Sequence, residues 1–315
     1  MKIVKHSDIL SLNLSPRMFL TWVEQVFLEL YKSSIPPKIS IPLPDNGFSN
    51  TMPTYLPEHN LMGVKVVNRY LANTPSLDAT MLLYDSTTGD LKALMDASYI
   101  TTMRTGAVAA MSILKLKPKK ESYTMGIMGL GLTARASLLC FLESGVEEEY
   151  NIKLLRYKDQ AERFIDRFKS YPQVRFQIVD SPKELITDSD IILSCVTYTD
   201  GLFGECEWFK KGVLVVPVHT RGFQNCDLFF EKVYADLESQ VCHFKNFAEF
   251  KKFNELSRVL LAQDPGRENN NERILAYNIG IAASDIFIGG KIYDILKDSP
   301  DNEVEFKETL DKYYI

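Results

Sequence analysis

The stretch Tyr123-Thr124-Met125-Gly126-Ile127-Met128-Gly129-Leu130-Gly131-Leu132-Thr133-Ala134 decides the fold: an apolar run ends in a glycine turn, and helical spacing follows through Ser144. The turn contains G-x-G-x-x-A, the pattern of a dinucleotide site. Gly129 allows the tight turn, and Gly131 lets backbone approach a pyrophosphate. The small Ala134 lets the helix lie close to its sheet, with its positive end toward the phosphates. Leu130, Leu132 and Thr133 complete the turn that a cofactor would meet. Residues 152–155 then read as a strand and 160–168 as a helix, which completes a β-α-β unit. Further strands are predicted at 175–179, 191–195 and 213–218, the last two nearly continuous apolar runs, as in strands covered on both faces.

The second strand of this unit ends in Leu155-Arg156-Tyr157-Lys158, where the residue that reads the adenine ribose belongs, roughly 20 residues past the glycines. An NAD site calls for Asp or Glu at this place. Here Arg156 and Lys158 flank Tyr157: two cations favour a 2′-phosphate, and the ring can pack on adenine. NADP(H) is therefore expected ahead of NAD(H). Both cations also fit the plainer description of solvated surface charge.

Outside this core, Phe19, Trp22, Val23, Val26, Phe27 and Leu30 fall at helical spacing behind a Ser15-Pro16 cap, which predicts a helix over 15–31. Prolines and turn formers punctuate 35–57, then 63–70 and 80–84 read as strands, with a turn at 86–90. A helix is expected over 100–116, and the basic, proline-containing 115–120 marks a junction near residue 120. A late helix over 274–296 follows a polar segment, 264–273, and returns the chain to the first domain. The expected fold class is α/β. A Rossmann-type doubly wound parallel sheet domain occupies 120–284, and an α+β domain is built from both termini, 1–119 plus about 285–315.

The chain has 315 residues, 45% of them hydrophobic and 24% charged, which is globular and long enough for about two domains. A net charge of -5 offers no basic excess for nucleic acid or an anionic membrane surface. Five cysteines (Cys140, Cys195, Cys206, Cys226, Cys242) include no C-x-x-C pair, so neither a disulfide framework nor a zinc site is indicated. No His, Cys or carboxylate set has ligand spacing, so no metal is expected. The first residues carry no long apolar segment after their lysines, and no run of about 18 apolar residues occurs, so a cytoplasmic protein is expected.

Ile100-Thr101-Thr102-Met103-Arg104-Thr105-Gly106-Ala107, followed by a helix and then the glycine turn, resembles the ornithine cyclodeaminase and mu-crystallin family. Met52-Pro53, Gly63-Val64-Lys65-Val66-Val67, the hairpin from Asp85 to Gly89, Asp188-Ser189-Asp190-Ile191-Ile192 and Pro265-Gly266-Arg267-Glu268 extend the likeness through most of the chain. The resemblance implies a homodimer whose terminal domain binds substrate and pairs subunits through its sheet, while the central domain holds NAD(P)(H). It implies that Lys65 and Arg104 sit at substrate and cofactor, with Met52 beside them. Lys38 stands where relatives often carry a carboxylate-binding arginine, and the swap loses the bidentate fork. It further implies that Thr80, Thr197 and Asn278 lie near the cofactor, although each is also an ordinary turn or cap residue type.

The chemistry agrees with that implication. An α-amino or α-imino acid presents a carboxylate, to which Arg104 can donate bidentately, and the Thr105 region, expected to open a helix, offers backbone donors to phosphate. Lys65, if desolvated, can act as acid or base. A strand-edge charge for Lys65 and a helix-start ion pair for Arg104 are the plainer alternatives. Relatives usually read G-x-G-x-Q-A, and Thr133 replaces the glutamine. In the cyclodeaminases of this family a catalytic aspartate lies three residues before a glycine; counting back from Gly222 gives His219, and no carboxylate occurs between Val213 and Cys226. His219 is either a replacement acid or base, with an ordinary pKa near 6.5, or a structural histidine, and Arg221 nearby is a further candidate to hold an acidic substrate or a cofactor phosphate.

The expected function is an NAD(P)(H)-dependent oxidoreductase moving hydride at the α-carbon of an amino or imino acid, as an amino-acid dehydrogenase or imine reductase. Arg104 and Lys38 would hold the carboxylate, while Lys65 and His219 manage the amine proton. A cyclodeaminase that recycles its hydride, converting ornithine to proline, is one alternative. A non-catalytic NADP-binding protein like the lens crystallins is the other.

Overall fold

The computed structural model describes residues 1–197, 199, 201–299 and 302–305. Two compact units divide the chain: Met1–Leu14, Tyr31–Thr101 and the chain from Ala282 form the first, while Ser15–Leu30 and Thr102–Ile281 form the second. Residues 306–315, expected in the terminal domain, lie outside the described residues.

The first unit is built on a six-stranded sheet of β1 (Lys2–Val4), β2 (Ile39–Leu43), β3 (Gly47–Leu56), β4 (Leu61–Arg69), β5 (Leu77–Asp85) and β6 (Leu91–Asp96), in the order β1-β6-β5-β4-β3-β2. All pairings are antiparallel except β1 with β6. The short helix α1 (His6–Ser11) follows β1. Alternation along the strands buries Met52, Lys65, Met81 and Met95 on one face, and these residues form a single rung across β3, β4, β5 and β6. The last helix of the unit belongs on this face. Gly63 has Ile286 where a Cβ would stand, 2.4 Å from its Cδ1, and Gly289 meets Met81 Cε in the same way at 2.2 Å.

The second unit begins with α2 (Pro16–Glu29), whose Ser15 hydroxyl accepts from Met18 N, the cap that the sequence announces. Then α3 (Ser98–Leu116), of which the portion from Thr102 belongs to this unit, leads into β7 (Ser122–Met128), α4 (Leu132–Leu142), β8 (Glu149–Leu155), α5 (Gln160–Phe168), β9 (Val174–Val179), α6 (Pro182–Ile186) and β10 (Ile191–Ser194). β11 (Leu214–Pro217), β12 (Lys232–Ala235), β13 (Phe253–Glu255), α7 (Leu256–Leu260) and β14 (Ile274–Tyr277) complete it. Its eight strands are parallel in the order β13-β12-β14-β11-β10-β7-β8-β9. The order reverses between β7 and β10, and such a switch point leaves a crevice beyond the strand ends. α8 (Ala282–Leu296) then returns to the first unit.

In this division the first unit ends at Thr101, ahead of the junction expected near residue 120, and resumes at Ala282, near the expected return at about 285. α2 packs on α4 and α7, and Gly106 of α3 is backed by Ala136 of α4, whose carbonyl carbon lies 2.5 Å from where a Cβ would be. Small residues at the α3–α4 crossing let α3 lie close to the parallel unit. The single helix expected over 274–296 is corrected: Ile274–Tyr277 is a fully buried strand between β11 and β12, and the helix starts only at Ala282. The 35–57 stretch read as punctuated turns contains all of β2 and β3.

Candidate functional site

Beyond the end of β7 the backbone turns at Gly129 with φ +78, and a Cβ there would stand 2.5 Å from the carbonyl carbon of Cys195 on the strand-end segment of β10. Only glycine meets both conditions. Gly131 is different: it has φ -79 and nothing within 4 Å of its absent Cβ. Gly131 is also the N-cap of α4 and supplies no side-chain acceptor, so the helix's first amides and positive end face open space. Leu130 is buried beneath the turn, Leu132 is exposed at the first position of α4, and Thr133 is half-buried, with its carbonyl accepting from Ser137 Oγ at 2.8 Å. Ala134 is fully buried against the sheet. This arrangement fits a pyrophosphate.

At the end of β8, Arg156 is not a bare cation. Its Nε donates to Asp180 at 2.7 Å and its Nη1 to Glu162 at 3.2 Å; the first of these holds the guanidinium pKa above its ordinary value. Nη2 has no partner among the described residues. Tyr157 is exposed, and Lys158, at φ +52, holds its ammonium 5.4 Å from the tyrosine ring centre. Thr197 is exposed just past β10. Asn278 follows β14, and its side-chain amide donates to Ser112 Oγ of α3 at 3.0 Å.

His219 lies two residues past β11, with Nε2 paired to Ser194 Oγ at 2.5 Å. Its ring stacks on Phe223 at 6.2 Å and meets Phe203 edge-on at 6.0 Å. Burial in this aromatic surround pulls its pKa down to about 4, opposed only by a hydrogen bond with the backbone of Arg221. The imidazole is therefore neutral near pH 7, which corrects the expectation of an ordinary value near 6.5. Arg221 itself is exposed.

Arg104 is buried, at 6% exposure, inside α3. The helix begins at Ser98, whose N–H donates to Asp96 Oδ1 at 3.0 Å, well before Arg104. Thr105 consequently does not open a helix, and its N–H is taken up within α3. The expected phosphate donors at Thr105 are thus removed by where the helix starts.

In the first unit, Lys65 and Asp285 are fully buried and form an ion pair, Nζ to Oδ2, at 2.6 Å. Thr101 Oγ1 donates to the other carboxylate oxygen at 3.2 Å. Asp285 lies in the first turn of α8, where the helix dipole favours its charge. Met52 is the cross-strand partner of Lys65, and Lys38 directly precedes β2, one residue before the Ile39–Thr51 pair. Thr80 does not join Met52 and Lys65: it is exposed on the opposite face, paired with Val66 and Asp96. The sequence reading missed Asp285, since 220 residues separate it from Lys65 and no local pattern marks the pair.

The Pro265-Gly266-Arg267-Glu268 piece is a clamp. Arg267 donates from Nε to Leu116 O at the end of α3 and from Nη1 to Glu272 O, while Lys232 bonds Gly266 O and Glu268. No group of three metal-ligand side chains stands together among the described residues, and no helix among them is long and apolar enough to cross a membrane.

A doubly wound parallel sheet with a glycine turn at its switch point, joined to an antiparallel-sheet unit, defines a Rossmann-type α/β protein. The chain belongs to the ornithine cyclodeaminase/mu-crystallin family, whose model matches residues 5–300. It is 28% identical over 276 residues to the nodulation efficiency protein of Rhizobium meliloti, covering 82% of this chain and 83% of that one. It is also 28% identical over 276 residues to the N-((2S)-2-amino-2-carboxyethyl)-L-glutamate dehydrogenase of Staphylococcus aureus, with 79% and 80% covered. Among solved structures, the Thermococcus litoralis Delta(1)-pyrroline-2-carboxylate reductase in complex with NADH and L-proline aligns with a TM-score of 0.82 and 27% identity, over 94% of this chain and 98% of that one.

Proposed function

We propose that this protein is an NAD(P)(H)-dependent oxidoreductase that moves hydride to or from the α-carbon of an α-amino or imino acid. The observation that carries the reading is the pair of glycines before α4: Gly129 is forced by the backbone, whereas Gly131 leaves open room at an uncapped helix start. A bound nicotinamide supplies the hydride chemistry. In this reading Gly129, Leu130, Gly131, Leu132 and Thr133 receive the pyrophosphate, and Arg156, Tyr157 and Lys158 receive the adenosine end. A preference for NADPH rests on Arg156 and Lys158, and Thr197, just past β10, is assigned to the nicotinamide ribose.

Arg104 offers the fork for a substrate carboxylate, and Lys38 adds a second cation. Lys65 holds or moves the proton at the substrate nitrogen, with its ammonium aimed by Asp285 and, through that carboxylate, by Thr101. His219 serves as a neutral hydrogen-bonding group. The same segment favours oxidoreduction over cyclodeamination, because no carboxylate stands between Val213 and Cys226.

The reading includes a homodimer in the cytoplasm. Ile39, Ile41, Tyr55 and Met62 are 64%, 54%, 43% and 40% exposed and share the sheet face opposite Lys65, an apolar surface that a second copy would cover. Light scattering that gives the mass of one chain would remove that part. For the reaction, purified protein is mixed with NADPH or NADH and a panel of cyclic and acyclic imino acids. Stoichiometric loss of nicotinamide absorbance supports the proposal; proline formed from ornithine with no net cofactor change would replace it with a cyclodeaminase.

A further inference from the structure

Asp236 directly follows β12 and is fully buried. Its carboxylate accepts from two successive backbone amides, Oδ1 from Ile279 at 2.9 Å and Oδ2 from Gly280 at 2.6 Å. An anion satisfied by two fixed N–H groups holds the 279–280 turn in one conformation. A second tie comes from Asn278, through its bond to Ser112 on α3.

Gly280 has φ +90, and a Cβ built on it would stand 2.8 Å from Nη1 and 3.3 Å from Nη2 of Arg104. The residue whose amide donates to Asp236 therefore carries a buried guanidinium against its Cα. Neither the backbone angle nor that approach admits any larger residue. A free arginine side chain samples many rotamers, and a fork that must meet a planar carboxylate works only when it is held.

We infer that Asp236 and Gly280 are positioning residues for Arg104: the carboxylate pins the 279–280 turn, and the turn is the seat that fixes the guanidinium for a substrate carboxylate. The purpose of the seat rests on the proposed function; the seat itself does not. Asp236 acts through the turn and touches no reacting atom in this scheme.

The test follows the Arg104 Nε–H resonance in the cofactor-loaded, full-length protein, assigned by its disappearance in Arg104→Lys. Asp236→Asn keeps the shape and removes the charge, while Gly280→Ala pushes a methyl group into the guanidinium. Both are expected to shift or broaden the resonance. Both should also raise KM for the imino-acid substrate about tenfold to a hundredfold, the loss of charge-assisted hydrogen bonds, with kcat and the NAD(P)H dissociation constant changed less than about threefold. If Asp236→Asn does not fold, Gly280→Ala decides by urea unfolding: it should lower the midpoint in the wild-type background and much less in Arg104→Lys, where the methyl group has less to clash with, and equal losses in both overturn the seat. An unchanged resonance in the folded variants overturns the inference. A changed resonance with unchanged KM keeps the seat and overturns the carboxylate role given to Arg104, and a wild-type protein without turnover overturns the proposed function while the resonance still decides the seat.

Discussion

Two cation–carboxylate contacts of similar length do different work in this molecule. Lys65 and Asp285 meet at 2.6 Å with neither side chain exposed, whereas Arg156 and Asp180 meet at 2.7 Å with 48% and 71% of their side chains in solvent. Water screens the second pair and leaves it worth little to stability, which frees Arg156 for recognition. The first pair has no solvent to fall back on. Their pairing in the core fixes the direction in which Lys65 points. Burial, more than distance, separates a group that is aimed from a group that is available.

The largest expected effect comes from breaking the buried pair. Asp285→Ala should cost about 3 to 5 kcal/mol by urea unfolding, because it removes the carboxylate paired with a fully buried ammonium. Lys65→Met combined with Asp285→Leu should recover most of that stability while turnover stays lost. A single substitution costing under about 1 kcal/mol would put the buried pair in the same class as the surface one.

The two glycines give a second contrast. Gly129→Ala should cost about 2 to 4 kcal/mol, from its left-handed φ and the collision with the Cys195 backbone. Gly131→Ala should unfold within about 1 kcal/mol of wild type yet weaken NADPH binding, since the open space it fills is the ligand's. Equal effects on stability at both positions would break the distinction.

His219 sharpens the comparison through pH. Its folded pKa of about 4 lies below the ordinary unfolded value, so the unfolded chain binds the proton first. Stability should therefore fall as pH drops from about 6.5 toward 4, by roughly 2 kcal/mol after allowance for partial exposure, and His219→Gln should flatten that slope. Parallel stability curves for the two proteins would contradict the burial argument. The smallest expected change is at Arg156: Arg156→Ala should alter stability by less than about 1 kcal/mol and weaken NADPH about tenfold while leaving NADH nearly unchanged.

Much of the parallel unit is legible in the sequence, because strands covered on both faces read as apolar runs and the glycines sit where one strand ends. β14 is not, since Ile274-Leu275-Ala276-Tyr277 is a short apolar run that periodicity cannot assign to strand or helix, and the adjoining α8 residues hide the break. β2 and β3 are obscured by their prolines. Pro42 lies on the edge strand and Pro53 beyond the Ile39–Thr51 pair, places where a missing N–H is tolerated. Among the candidate residues, Lys65 and Arg104 carry motif context, whereas Asp285 and Asp236 acquire meaning only from contacts with residues far away in the chain.

The most direct test of the central claim is a fluorescence titration of the purified protein with NADPH and NADH. Binding on the order of micromolar, tighter for NADPH, is the predicted result. Failure to bind either nucleotide would contradict the reading of Gly129 to Ala134, and the oxidoreductase proposal with it.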